Sequence, residues 1–449
     1  MSDFCLSERC PWSLLLNPFS WLLWILDFVA WIITLGPIPW IARAFRGQKS
    51  ALVARNKPAD RIGLGALTAG GVNQVSPQIS PISKIKGAED VVTVHDLMQR
   101  SLTMFASRPA FGTRKYLGEH KLEGARFPLK MFGESSWLTY AEVGERARAF
   151  GLGLLKCGCE PLPQGADYEQ TNGPHTILLW EDTCADWFTA LMGCGGQSIA
   201  VATSYATLGL DSVAQAINNS TCPAVVCNYM QAEKLAQIAD QCPSLQTIIY
   251  TKLMVKDEDC KDPPKISNSK LAVISFDEVC ELGLPQNAES ASPLPDASID
   301  AGSFRRSSKM IGAQQYNPPL PSTVSVIMYT SGSTGTPKGV MIKHESFVAS
   351  VAGLKEWVDG TNLLSASSQE TYLAYLPAAH ILELVVEHSL VTIGASMGFA
   401  NPQTLSSKGA CRMRPDGTIN AVAGFPYPAG GIQVSTPGGH VFQRFSTSD

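Results

Sequence analysis

Tyr329-Thr330-Ser331-Gly332-Ser333-Thr334-Gly335-Thr336-Pro337-Lys338-Gly339 is the stretch on which the reading of this chain turns. Val324-Ser325-Val326-Ile327-Met328 leads into it, a β-branched and apolar run that reads as a strand. Val340-Met341-Ile342 resumes a strand, and His344 to Leu354 reads as a helix. Between the strands lie small and hydroxylated residues. Glycines let a backbone approach an anion closely and expose its N–H groups. The hydroxyls of Ser331, Ser333, Thr334 and Thr336 can donate to phosphate oxygens. Lys338 supplies a point charge, and Pro337 stiffens the chain just before it. The pattern predicts a phosphate-binding loop made of Thr330, Ser331, Gly332, Ser333, Thr334, Gly335, Thr336 and Lys338. It is not the common P-loop. Counting from Gly332, Pro337 takes the place of the second glycine, and Gly339 stands where a metal-binding hydroxyl would follow the lysine. A Gly/Ser connection with no ligand is the rival reading, and the order of strand, hydroxyls, proline and lysine argues against it.

Outward from this loop the chain alternates. Thr139-Tyr140-Ala141-Glu142 is a capping-box pattern opening a helix through Ala149, Leu152 and Leu155. Thr176 to Trp180 reads as a buried strand, with Asp182 placed to cap a helix whose apolar face holds Trp187, Phe188, Leu191 and Met192. Strands are expected at Ser198–Ala202, Ala224–Cys227, Thr247–Tyr250 and Leu271–Ser275, with a helix over Leu210–Asn218. Repeated strand–helix–strand units predict an α/β domain with mostly parallel sheets flanked by helices. Residues 283–322, rich in Pro, Ser and Ala, read as an insert within it.

Among 449 residues, 45% are apolar and 16% charged, enough to bury a sizeable core. The net charge of −4, with no basic block, argues against nucleic acid as a partner. The 12 cysteines are scattered without metal-ligand spacing, even at Cys157-Gly-Cys159 and Cys222/Cys227, and read as reduced thiols in a compartment facing the cytosol. Residues 1–46 read as a hydrophobic membrane anchor. Pro11 to Ala42 carries one charge, Asp27, and five of the nine tryptophans, whose rings favour a bilayer interface. Its central stretch, Phe19 to Leu35, would be about 25 Å long, short of a hydrocarbon core. A full span and a shallow interfacial anchor both stay open. Arg43, Arg46 and Lys49 place the bulk of the chain on the cytosolic side. Residues 47–90 read as a linker.

The stretch from Tyr329 to Gly339 resembles the signature of the adenylate-forming, AMP-binding superfamily. Trp137 to Val143, Gly193 to Gly209, and Tyr372-Leu373-Ala374-Tyr375-Leu376-Pro377-Ala378-Ala379-His380-Ile381-Leu382-Glu383 look like motifs of its long-chain fatty acyl-CoA synthetase branch. The resemblance covers roughly residues 90 to 405 and implies an AMP-binding domain over 91–405. It also implies a two-step ligation. A fatty carboxylate attacks Mg2+-bound ATP to give acyl-adenylate, and coenzyme A then displaces AMP. In it Lys338 offsets phosphate charge, and His380 lines the acyl and adenylate side, both as catalytic residues. Glu383 could cap or orient His380, but a place on the helix surface is the preferred expectation. Fatty acid and membrane lipid are the implied partners, and the endoplasmic reticulum, a lipid droplet or a peroxisome the implied sites.

Residues 406–449 are glycine- and proline-rich and show neither the later Thr-Glu motif, nor the ribose-binding Asp, nor the adenylation lysine of that family. The expectation is a divergent tail and impaired ligase activity for this sequence by itself. Two other readings stay open: a catalytically inactive, membrane-bound fragment that binds nucleotide or a partner, and an adenylating enzyme for another acid. Acyl-chain length and oligomeric state are not legible.

Overall fold

The computed structural model describes residues 83–121, 128–171, 173–266, 268, 270–284, 316–330, 338–361, 370–400, 409–413, 417 and 419–420. The expected membrane anchor, most of the linker, residues 285–315 of the insert, residues 331–337 of the phosphate loop and most of the tail lie outside them. Among the described residues no helix is long and apolar enough to cross a membrane.

Two sheets carry the fold. The first is built from β3 (Thr176–Trp180), β4 (Ala200–Ser204), β5 (Ala224–Asn228), β6 (Thr247–Thr251), β7 (Ala272–Ser275), β8 (Val324–Thr330) and β9 (Lys338–Lys343). Its order is β7-β6-β5-β3-β4-β8-β9, and every neighbour pair is parallel except β8 with β9. β3 and β4 are buried along their whole lengths, as short apolar runs covered on both faces must be. The second sheet is mixed. It takes β1 (Pro109–His120), β2 (Leu129–Thr139), β10 (Thr371–Ala374), β11 (Ser396–Phe399), β12 (Ala410–Met413) and β13 (Ile419–Asn420), in the order β10-β11-β1-β2-β12-β13. β12 lies in the stretch expected to be a divergent tail, and pairs Ala410 with Lys130 and Cys411 with Met131.

Eight helices are described: α1 (Val94–Met104), α2 (Tyr140–Lys156), α3 (Ala185–Gly195), α4 (Leu210–Ser220), α5 (Tyr229–Gln237), α6 (Phe276–Gly283), α7 (His344–Thr361) and α8 (Ile381–Val391). α2 starts where the sequence placed it. The Thr139 hydroxyl accepts from the Glu142 N–H at 3.3 Å, and the Glu142 carboxylate accepts from the Thr139 N–H at 2.7 Å. Thr139→Ala removes the first of these and is expected to cost about 1 kcal/mol in urea unfolding. α2 ends at Gly158, whose φ of 85° lets the Cys159 N–H fold back onto the Leu154 carbonyl at 3.2 Å. α2 packs against α1, α3 and α6. Phe150 stacks on Phe276 at 4.2 Å, and Phe111 of β1 meets Phe188 of α3 and Phe399 of β11 edge-on.

Two expectations are corrected. Asp182 does not cap α3. Cys184 is the N-cap, its Sγ accepting from the Trp187 N–H at 3.4 Å, because the helix starts only at Ala185 and Asp182 is left in the preceding turn. Glu383 is not on the helix surface. It is 3% exposed, and both its oxygens lie 2.9 Å from the Tyr372 hydroxyl of β10, since the first turn of α8 packs that face onto the second sheet. The β1–β2 hairpin was not read from the sequence. Its strands carry register shifts and half-buried residues in place of a clean alternation. The ten cysteines among the described residues are unbridged, and all but Cys157 are buried.

Candidate active site

In the first sheet the chain passes from β3 to β4 on one side, then crosses back to β5 on the other. Adjacent strands whose connections run in opposite directions leave a crevice at their carboxyl ends. A cleft of about 90 Å³ lies beside that crevice, at the carboxyl ends of the neighbouring strands β3 and β4, lined by Glu181, Asp182 and Thr183 after β3 and by Tyr205, Ala206 and Thr207 after β4. The opposite wall comes from the carboxyl ends of β10 and β11 in the second sheet, through Tyr375, Pro377, Ala379 and Ala400.

β8 runs parallel to β4, with Met328 beside Thr203, so the loop that follows β8 leaves from this same edge. The hairpin closes on the pair Thr330 and Lys338, and the intervening residues 331–337 lie outside the described ones. The base of the loop is fixed. The Tyr329 hydroxyl contacts the Ser220 hydroxyl at 2.9 Å and donates to the Ala216 carbonyl at 3.2 Å, both on α4. A side chain at 339 would press on Ile327 Cγ2 at 2.9 Å and on the Tyr329 ring, so glycine is needed directly after Lys338. Lys338 is exposed at the hairpin mouth. At the end of β4 the hydroxyls of Thr203 and Ser204 are buried without a hydrogen-bond partner. Orphaned donors beside the root of a Gly/Ser/Thr loop suit a ligand rich in acceptor oxygens.

His380 sits on the other sheet's side, as the N-cap of α8, with Nδ1 accepting from the Leu382 N–H at 3.2 Å. It is exposed, next to the cleft-lining Ala379. The turn that carries it is tied to the first sheet by Thr183, whose hydroxyl donates to the Leu376 carbonyl at 2.8 Å and accepts from the Ala378 N–H at 2.7 Å. Glu181 is the cleft residue that sequence reasoning missed. It is 4% exposed, and burial pushes its carboxyl up to about 8, against hydrogen bonds from the Thr251 hydroxyl and the Asp182 N–H that favour the charged form. The signal was available: Glu181 directly follows a fully apolar strand, where the residues at the carboxyl ends of a parallel sheet collect. Among the described residues no group of three or more His, Cys, Asp or Glu side chains could hold a metal ion.

The AMP-binding enzyme family matches residues 121–416. Long chain acyl-CoA synthetase 8 of Arabidopsis thaliana is 31% identical over 323 residues, which is 71% of this chain and 38% of that protein. Long-chain-fatty-acid–CoA ligase 1 of Schizosaccharomyces pombe is 28% identical over 333 residues, 71% of this chain and 42% of that one. The chain thus spans about two fifths of the length of these relatives. The adenylation domain of a carboxylate reductase from Mycobacterium chelonae, 16% identical, shares the fold with a TM-score of 0.51 over 73% of this chain and 46% of that one. With two thirds of its length matched and a two-sheet α/β fold, this chain belongs to the AMP-binding enzyme family.

Proposed function

We propose that this chain serves ATP-dependent activation of long-chain fatty acids to acyl-CoA through an acyl-adenylate. One observation carries the reading: the Thr330–Lys338 hairpin opens at the same carboxyl edge as the cleft between the two sheets. A triphosphate held by the loop would therefore lie at the edge that also carries the cleft. The names of the relatives supply the substrate class.

ATP brings the electrophilic phosphorus, and the residues of the chain do the rest. The loop hydroxyls and N–H groups hold the phosphate oxygens. Lys338 offsets the charge that grows on the phosphates as the carboxylate attacks. His380 and the turn before it form the wall on the acid's side. Tyr375, Pro377, Ala379 and Ala400 give that wall a largely apolar character, which excludes water from an intermediate prone to hydrolysis. Mg2+ enters with ATP, and coenzyme A enters as the second substrate. The AMP-binding domain over 91–405, the insert at 283–322 and the membrane anchor in residues 1–46 belong to the same proposal. Sequence alone supports the anchor, and its setting stays open between the endoplasmic reticulum, a lipid droplet and a peroxisome.

The test is equilibrium titration with ATP at fixed salt. Lys338→Ala is expected to weaken binding about 10- to 100-fold, the worth of one hydrogen bond to a charged group. A parent chain with no affinity for ATP would sink the proposal.

A further inference from the structure

We propose that Thr183 is a positioning residue. It locks the turn from Leu376 to His380, and with it the His380 imidazole, against the carboxyl ends of β3 and β4. The inference rests on the function proposed above, in which this turn walls the substrate cleft.

Large side chains do not anchor the turn itself. Leu376 is 39% exposed and Leu382 63% exposed, so neither large side chain at its two ends is an anchor. Between them stand Pro377, which has no N–H to donate, Ala378 and Ala379, buried but with only a methyl each to pack, the exposed His380, and the half-buried Ile381 that already belongs to α8. What remains is polar. The Thr183 hydroxyl, on a residue 9% exposed, donates to the Leu376 carbonyl at 2.8 Å and accepts from the Ala378 N–H at 2.7 Å. These partners lie 193 and 195 positions away in sequence, on the other sheet's side. From Ala378 the fixed geometry passes to the helix start. The His380 N–H donates to the Pro377 carbonyl at 2.9 Å, and the His380 side chain caps α8 through the Leu382 N–H.

Thr183 is itself rigidly placed. The residue before it, Asp182, donates its N–H to Glu181 at 2.8 Å, and Glu181 takes a further bond from the Thr251 hydroxyl at the end of β6. The residue after it, Cys184, caps α3. A chain of hydrogen bonds therefore runs from β6 through Glu181 and the β3–α3 turn to the His380 turn. Only a hydroxyl can both donate and accept at this point, so serine can replace Thr183 and valine, of the same shape, cannot.

Four variants decide it: Thr183→Val, Thr183→Ser, His380→Ala and Thr183→Val combined with His380→Ala. The first readout is amide hydrogen exchange of residues 376–382, and the second is affinity for an acyl-sulfamoyl adenosine, a stable mimic of an acyl-adenylate. In Thr183→Val, exchange is expected to accelerate and affinity to fall about tenfold, the loss carried by one to two hydrogen bonds. Thr183→Ser is expected to restore both. The double variant is expected to bind as His380→Ala alone does, because Thr183 acts through the turn that bears His380. Unchanged exchange in Thr183→Val, or losses that simply multiply in the double variant, would overturn the positioning role. A parent chain that ignores the mimic would instead refute the ligase reading, and the exchange and rescue would still show whether the lock exists.

Discussion

Glu181→Gln is expected to become progressively more stable than the parent chain as pH rises from about 5 to about 8, by up to about 1.4 kcal/mol per pH unit. Burial is the main cause. It raises the Glu181 carboxyl from the 4.5 of a free side chain to about 8. In the folded chain the group keeps its proton up to that pH, whereas in the unfolded chain it gives the proton up near 4.5. Over this window the unfolded state binds fewer protons than the folded state, so rising pH favours unfolding. Below the window both states are protonated and nothing is lost; above it the full penalty is in place. Glutamine has no proton to lose. Its carbonyl can still accept from the Asp182 N–H, and its NH2 can still meet the Thr251 hydroxyl, two of the partners Glu181 has in the fold. Other buried carboxyls, Glu387 among them, are raised as well, but they are common to both chains and cancel in the difference. Urea unfolding of the pair at pH 5, 6.5 and 8 reads this directly. A constant gap across the three values would mean that Glu181 is ionised in the folded cleft.

Gly153→Ala and Gly283→Ala are each expected to destabilise the fold by about 3 kcal/mol, the upper part of the range for an overpacked core. At Gly153 the added methyl would run into the Val279 carbonyl, and at Gly283 into the Ala149 carbonyl, in both cases far inside contact distance. The obstacle is backbone, so no side-chain rotation relieves it. α2 and α6 would have to move apart, opening the stacked pair Phe150–Phe276. Gly353 is the control. It lies within α7 with nothing near an added methyl, so Gly353→Ala is expected to stabilise by about 0.5–1 kcal/mol through helix propensity alone. The opposite signs, read as shifts in the urea midpoint, separate close helix packing from the general cost of altering a glycine. A loss at Gly353 equal to that at Gly153 would remove the packing argument.

The sequence determined what neighbouring residues decide between themselves. Thr139 and Glu142 stand three apart and close a capping box wherever a helix begins there, so the start of α2 was legible to the residue. The apolar runs that became β3, β5, β6 and β8 were legible for the same reason, whereas the antiparallel pairing of β8 with β9 was not. The order of small, hydroxylated and basic residues between those strands carried the chemistry of the candidate site. Tertiary structure decided what depends on distant partners. Asp182 has the right chemistry for a cap but sits too early, and only the start of α3 at Ala185 gave that role to Cys184. Glu383 looked like a surface residue until Tyr372 came to face it. The cleft joins Glu181 and Thr183 to Tyr375 and Ala379 from another sheet, nearly two hundred positions away. No local pattern encodes such a meeting, because it is fixed by how all the buried faces pack at once, and the cost of burying a carboxyl or sparing a methyl appears only when that packing is complete.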